Sequence, residues 1–568
     1  MTSPIIGLPT RAEMQSRRPQ MFPTLTDAQM ARIVRVGKER VLAKGETLFE
    51  QGQYGVPIHL ILEGSIEILH PRDGVPSEES IVVQGPGQFT GEINQLAQRR
   101  TLVRARAKEP TRVVEVSLAQ LKTIVLTDSE LSEIFLRAFM LRRTGLLVGH
   151  QGDAIVLGSS HSAATLRLQE FLTRNGHPYR YVDVDVDPSV QGLFDAFHVG
   201  VADVPVLICR GDRVLKNPTN AEVADCLGLN ASIDRASVRD LVVIGAGPAG
   251  LAAAVYAASE GLDVLVIEAS SPGGQAGSSS KIENYLGFPT GISGNALSQR
   301  ALAQAEKFGA QLVVARVAVK LHCDEHPYRV ETEDGGSVRA RAIVIATGAQ
   351  YRKLELPDLA RFEGAGVYYG ATFVEAQRCA SEAVVIVGGG NSAGQAATFL
   401  SRSSAHVHIL VRAEGLAASM SRYLIRRIEE TPNITLHSRT RVVGLSGGDR
   451  LERVTWTDDA TGETSTHPMG HVFSMTGAKP NTDWLGGCLA LDDKGFVRTG
   501  LDIAAAAGIA GRGTARPLGA RPTLHLETSM PRVFAVGDVR SGSVKRVAAS
   551  VGEGSACIQL VHRVLAIE

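Results

Sequence analysis

The residues with the plainest chemical purpose in this 568-residue chain are glycines. Gly245, Gly247 and Gly250 stand in the spacing G-x-G-x-x-G, and Glu268 follows about twenty residues later. In that spacing the first glycine permits a tight turn and the second lets backbone approach a pyrophosphate. The third lets a helix pack closely on a strand, and the acidic residue accepts hydrogen bonds from a ribose diol. The chemistry needs elements to carry it, and the flanking sequence supplies them. Leu241–Ile244 is an apolar run short enough for a buried parallel strand. An Ala-rich segment follows, then a second apolar run, Val264–Ile267, closed by Glu268. The whole is a βαβ unit whose helix N-terminus offers free N–H groups and positive dipole to phosphates. A merely structural glycine-rich turn would not need this context.

A second fingerprint lies downstream. Val384–Ala393 reads VVIVGGGNSA, with Gly388, Gly390 and Ala393 in the places of the three glycines. Its second strand, VHILVR, ends at Arg412 where the first ends at Glu268. Two fingerprints in one chain, the second nested within the domain that the first begins, specify dinucleotide chemistry far more tightly than either alone.

Bulk properties bound the rest. Lys+Arg and Asp+Glu are 59 each, so no net field favours nucleic acid or an anionic membrane. The N-terminus lacks the order of a signal peptide, and no apolar run approaches a membrane span. The six cysteines, Cys209, Cys226, Cys323, Cys379, Cys488 and Cys557, contain no C-x-x-C. That usage reads as a cytoplasmic protein with free thiols.

From Thr24 to about Gly145 a short helix precedes many short β-type runs punctuated by glycine, which predict a small barrel or jelly roll. An amphipathic helix, SELSEIFLRAFMLRR, closes the unit. Gly45-Glu46, Gly52, LILEGSIEI around Gly64, and Phe89, Gly91, Glu92 and Arg100-Thr101 together resemble the cyclic-nucleotide-binding domain family. The resemblance implies that Glu92 takes the ribose 2′-hydroxyl, Arg100 pairs with the cyclic phosphate and Thr101 adds a hydroxyl bond. Thr90 is inserted between Phe89 and Gly91, and Asn94 and Gln95 partly replace the usual apolar residues. A domain kept for packing or dimerisation is the alternative.

Residues 153–229 read as strand, helix, strand, helix, strand, strand, helix, with Pro205 at the start of the third strand. The order resembles thioredoxin and glutaredoxin domains, where the equivalent proline is cis and a cysteine pair follows the first strand. That place here is Gly158-Ser159-Ser160-His161-Ser162. Serine cannot form the mixed disulfide that thiol–disulfide exchange requires. The expectation is a thioredoxin-like fold without its chemistry. His161 reads as a docking-groove contact or, more simply, as part of a helix-capping region with Ser159 or Ser160. Cys209 and Cys226 read as small buried apolar residues.

After the linker Asn230–Arg239, the chain resembles the low-molecular-weight thioredoxin reductases, a family of flavin-dependent pyridine-nucleotide oxidoreductases. The resemblance implies FAD on the first fingerprint and a nicotinamide nucleotide on the second. It places Gly274, Gln275 and Asn284 near the flavin, and Gly348 of IVIATG where the chain crosses between domains. It puts Asp538 on the ribitol chain and Lys545, Arg546 and Val547 at the flavin pyrimidine end. Positive charge there stabilises an anionic reduced flavin. Arg412 suits a 2′-phosphate, which favours NADPH. The family's dithiol pattern, GVxYCATC, reads Gly366-Val367-Tyr368-Tyr369-Gly370-Ala371-Thr372-Phe373, so Gly370 and Phe373 stand where the two redox cysteines would be.

The expected architecture is multidomain α/β, with two nested Rossmann-type domains behind a jelly-roll domain and a thioredoxin-like domain. The boundaries are 1–147 for the cyclic-nucleotide-binding-like domain, 148–230 for the thioredoxin-like domain, 238–357 with 482–568 for FAD, and 358–481 for NAD(P)H. The expected function is an FAD-dependent NADPH oxidoreductase, a homodimer by resemblance. It passes electrons to an unidentified acceptor, with a redox partner protein among the candidates, and a cyclic nucleotide is its candidate effector. The competing readings are a ligand-sensing or interaction flavoprotein with little turnover, and a thioredoxin-disulfide reductase using a non-standard cysteine pair.

Overall fold

The structure is a computed structural model. It describes residues 10–566 except 72–77, 93–95, 97–98, 150, 161, 188–189, 201–202, 211–212, 231–232, 280, 372, 449 and 504–521. Asn94, Gln95, His161 and Thr372 therefore lie outside the described residues. The chain divides into two compact units.

The first unit comprises 1–159, 171–234 and 302–315. Its N-terminal part is antiparallel. Lys38–Leu42, Thr111–Val116 and Ile58–Glu63 are neighbours in one sheet, and Thr47–Phe49, Arg104–Ala107, Ile66–Pro71 and Glu78–Gln84 in another. The strands are short because glycine-bearing turns interrupt them. Gly64, at φ +80°, is one: a Cβ there would lie 2.5 Å from the Pro110 carbonyl. Helix Ser129–Gly149 closes this part by burying Phe135 and Phe139 against Phe89, whose ring meets that of Phe135 edge-on at 4.7 Å. Beyond it, Arg213–Lys216, Val206–Cys209, Ala154–Gly158 and Arg180–Asp183 form a mixed sheet in that order, and the Val204–Pro205 peptide bond is cis. Ala154–Gly158 and Val206–Cys209 are buried at every position, as central strands covered on both faces must be.

The second unit comprises 160–170, 235–301 and 316–568. Its first sheet runs Val264–Ile267, Val238–Ile244, Ser337–Ile345, Tyr328–Thr332, Ala318–His322, and Val533–Ala535 adds in parallel to Ser337–Ile345. Val264–Ile267, Val238–Ile244 and Ser337–Ile345 are mutually parallel, while the last two of the run are an antiparallel meander. The second sheet is wholly parallel: Val367–Tyr368, His471–Ser474, Ala383–Val387, His406–Leu410, Ile434–His437. Two crossing strands, Ala349–Tyr351 and Ala478–Pro480, pair where the chain leaves the first sheet and returns to it.

The expectation of free thiols needs correction. Cys323 and Cys488 form a disulfide, with S–S 2.06 Å and Cα–Cα 5.9 Å across a sequence separation of 165 residues. The chain departs through one crossing strand, builds the second sheet and comes back through the other. Two cysteines far apart in sequence thus end beside one another, which spacing alone could not reveal. Cys209, Cys226, Cys379 and Cys557 are free and buried.

Candidate active site

Each glycine fingerprint forms the turn that its spacing requires. In the first, Gly245 takes φ +103° and its N–H donates to Ile267 O at 2.8 Å. A Cβ on Gly245 would stand 2.4 Å from Ala346 O, and one on Gly250 would stand 1.9 Å from Gly245 O. Both glycines are therefore demanded by the protein itself. Gly247 differs. Its φ is −70°, it caps helix Pro248–Ser259, and its Cβ would meet nothing nearer than Gly274 Cα at 3.9 Å. The missing side chain leaves open space at a helix N-terminus, where phosphate oxygens fit. The cradle therefore suits a dinucleotide.

Glu268, at the end of its strand, accepts from Ala246 N at 2.7 Å on one oxygen and from Ser270 N at 2.9 Å on the other. These bonds hold the carboxylate at the turn. A carboxylate has about four acceptor positions, so anchoring it is compatible with receiving a diol. Gly273 and Gly274 also take positive φ, and the Gln275 side-chain amide donates to Ala349 O. Asn284 is exposed, while Gly348, at φ +65°, borders open space.

On the other side of the strand edge, Gly537 takes φ +73° and donates its N–H to Glu553 at 2.7 Å. Glu553 also pairs with Arg540 at 2.5 Å. The neighbouring Asp538 carboxyl is raised by burial, with Lys545 opposing. The Lys545 ammonium donates to Asp538 O and lies 4.5 Å from the Phe496 ring centroid. Arg546 is the N-cap of helix Val547–Leu565, so Lys545, Arg546 and Val547 gather at a helix N-terminus that already carries partial positive charge.

The second fingerprint repeats the first. Gly388, at φ +140°, donates to Leu410 O at 3.0 Å, and a Cβ on it would lie 2.4 Å from Met475 O. Gly390 caps helix Asn391–Leu400, and its Cβ would meet nothing within 4 Å. Ala393, fully buried, packs that helix on the sheet. Arg412 is exposed just past strand His406–Leu410.

Sequence reasoning passed over several supports. Asn481 donates to Thr347 O and Thr347 donates to Asn481 O, each at 2.8 Å, which clasps the two crossing segments. Asn391 accepts from Ser421 N and Oγ at 2.8 and 2.7 Å, fixing the loop below Arg412. Their signal was the run PNT at 480–482 and the asparagine that opens the second helix.

Where the resemblance expects the dithiol, Gly370 follows strand Val367–Tyr368 and Phe373 opens helix Phe373–Arg378. Tyr369 donates to Glu363 at 2.6 Å, and Lys353 pairs with the same carboxylate. Cys379 is buried, its thiol pushed up to about 11 by burial, and it contacts Ser404 Oγ at 3.8 Å. The disulfide lies elsewhere. His322, beside Cys323, faces Arg329, which faces Arg339, which faces Val238 at the start of the central strand. Gly245 follows the other end of that strand, roughly 20 Å away at about 3.3 Å per residue.

In the N-terminal part, Thr101 Oγ1 donates to Glu50 O at 2.8 Å. Glu92 is buried with its pKa raised by that burial, and its carboxylate stands 3.6 Å from Arg143 Nη1. Arg100 lies over the Tyr54 ring at 4.9 Å and donates to Cys226 O at 3.3 Å.

Residues 239–554 match the family model of pyridine nucleotide-disulphide oxidoreductases, more than half of the chain. The chain belongs to this family. Pyridine nucleotide-disulphide oxidoreductases use FAD and NAD(P)H, and this one is a thioredoxin reductase-like FAD/NAD(P)H oxidoreductase. Residues 39–128 match the cyclic nucleotide-binding domain. A thioredoxin reductase of Streptomyces clavuligerus is 34% identical over 332 residues, covering 58% of this chain and 94% of that protein. The NADPH-dependent thioredoxin reductase 3 of Arabidopsis thaliana is 32% identical over 366 residues, covering 61% and 63%. The crystal structure of Lactococcus lactis thioredoxin reductase matches with TM-score 0.51 at 26% identity, over 58% of this chain and 99% of that one. Among the described residues, no helix is long and apolar enough to cross a membrane and no group of three or more His, Cys, Asp or Glu could hold a metal.

Proposed function

We propose that this oxidoreductase takes NADPH and passes its electrons to an acceptor without an internal dithiol. The observation that carries the reading is the pairing of two open glycine cradles with Gly370 and Phe373 at the dithiol positions. FAD, when bound, supplies the two-electron chemistry between nicotinamide and acceptor. The chain's part is to bind and orient. Gly247 and the N–H groups at the start of Pro248–Ser259 receive the FAD pyrophosphate, and Glu268 holds the ribose diol. Asp538 takes the ribitol, while Gly274, Gln275, Asn284 and Gly348 border the flavin. Lys545, Arg546 and the N-terminus of Val547–Leu565 place positive charge at the pyrimidine end, which favours the anionic reduced form. Gly388 and Gly390 receive the second pyrophosphate, and the exposed Arg412 fork receives the 2′-phosphate.

The disulfide favours no relay. It stands at the far end of the strand from the cradle, whereas thiol exchange needs sulfur within bonding reach. The sheet order supports a thioredoxin-like fold for 148–230, whose serines at 159, 160 and 162 leave it without exchange chemistry. The N-terminal domain is read as taking a cyclic nucleotide at Glu92, Arg100 and Thr101.

The test is NADPH-dependent dye reduction by the wild type and by a variant with all six cysteines changed to serine. Equal turnover per bound flavin is expected. Thioredoxin-dependent reduction of a dithiobenzoate reagent, lost on one Cys→Ser change, would overturn the reading.

A further inference from the structure

The side chains assigned to a cyclic nucleotide already have intramolecular uses, and one of these uses mimics the ligand's demand. Helix Asn220–Leu227 opens on a capping box, in which Thr219 accepts from Glu222 N at 3.2 Å and Glu222 accepts from Thr219 N at 2.7 Å. It ends at Gly228, φ +62°. The final carbonyls of a helix carry its negative pole, and a guanidinium placed there is stabilising. Arg100 fills that place, with Nη1 on Cys226 O at 3.3 Å. The fit is close: a Cβ on Gly228 would lie 2.7 Å from the Tyr54 hydroxyl and 2.8 Å from Arg100 Nε. A phosphate at Arg100 would draw on the same guanidinium and would face the helix's negative end.

We propose that the C-terminal end of helix Asn220–Leu227 is an intramolecular competitor for a phosphate anion at Arg100, so that a cyclic nucleotide binds only as this helix end moves off. The proposal rests on the reading that this domain takes a cyclic nucleotide. Ligand and helix end then exclude one another through a single cation. Anything that loosens the helix raises ligand affinity, and by linkage the ligand loosens the helix. Glu92 and Thr101 contribute little to the competition, because their partners Arg143 and Glu50 belong to the N-terminal domain itself.

The experiment uses the full chain, with calorimetry for cyclic AMP and cyclic GMP and hydrogen exchange across 219–230. Thr219→Ala removes the distant capping box without touching Arg100. It should tighten binding by roughly fivefold, the equivalent of one lost cap. Gly228→Val should tighten it further by displacing the helix end. Saturating nucleotide should speed exchange across 219–230 in the wild type, and Arg100→Ala should speed it with no ligand present. Nucleotide binding that leaves exchange unchanged, with equal affinity in the wild type, Thr219→Ala and Gly228→Val, would overturn the competition and keep the nucleotide reading. No binding by variants whose helix exchange has risen would overturn the nucleotide reading, and the competition with it. Unchanged exchange in Arg100→Ala would show that the helix end does not depend on this arginine, which also overturns the proposal.

Discussion

The two glycine turns of the second unit share a backbone and differ in what stands at the end of the second strand. Gly245 and Gly388 both take positive φ, both donate to the end of the neighbouring strand, and both would strike a carbonyl oxygen if they carried a Cβ. Gly247 and Gly390 both cap a helix beside open space. Glu268 is tied by two backbone N–H groups, whereas Arg412 projects from the strand end as an exposed cation. On the proposed reading, the shared backbone receives a pyrophosphate in each turn, and the residue at the strand end selects the ribose that accompanies it. A rigid acid suits an unmodified diol, and a mobile fork suits a ribose bearing phosphate.

The comparison breaks most violently at Gly247. Gly247→Val adds bulk in open space at φ −70°, so the protein should fold and purify colourless, with a circular dichroism spectrum like that of flavin-stripped wild type. Gly250→Val, which would strike Gly245 O, should lose flavin and fold together. A yellow Gly247→Val protein at wild-type stoichiometry would displace the site. Next in size, Arg412→Ala should weaken NADPH by about 10- to 100-fold, the worth of a charge-assisted bond, and leave NADH nearly unchanged. Equal losses for both nucleotides, measured by titration, would remove Arg412 from the 2′-phosphate.

The two regions also differ in how they are held together. The disulfide fastens the returning chain to the meander of the first sheet, and no such bond ties the described residues of the second sheet. Cys323→Ser should lower unfolding free energy by about 2–4 kcal/mol, since a long loop is set free in the unfolded state, with dye reduction intact at low temperature. Loss of turnover without loss of stability would give the disulfide a chemical role. The smallest effect belongs to the second sheet, where His408 Nδ1 and His437 Nε2 are 3.0 Å apart. Burial, with the nearby His406 and His437, lowers His408 from 6.5 to about 4. The folded state keeps it neutral, so its stabilising contribution is complete above pH 6.5 and is lost as pH falls towards 4. Melting temperature should decline across that window, and His408→Gln should flatten the decline.

Both turns were legible in the sequence because local spacing alone dictates them: Gly245, Gly250 and Gly388 are demanded by contacts within their own βαβ units or with the strand beside them, while Gly247 and Gly390 keep the space at a helix start open. The nested α/β class followed from the same alternation of apolar runs and helices. What could not be read depended on contacts between distant segments. Cys323 and Cys488 meet only after the chain has completed an inserted domain. Arg100 had the type and position of a phosphate ligand, yet its guanidinium faces Cys226 O, 126 residues later in the chain. Glu553, which holds Gly537 N and Arg540, sits within helix Val547–Leu565, and no motif in the sequence marks it.

On the proposed function, electrons entering from NADPH meet no working dithiol within the chain. Anaerobic titration of the purified holoprotein with NADPH, followed by flavin absorbance and free-thiol assay, tests it directly. About one equivalent of NADPH per flavin should complete the bleaching, and no thiol beyond those of Cys209, Cys226, Cys379 and Cys557 should become titratable. Consumption of about two equivalents, with new thiols appearing as Cys323 and Cys488 part, would show a working internal disulfide and contradict it.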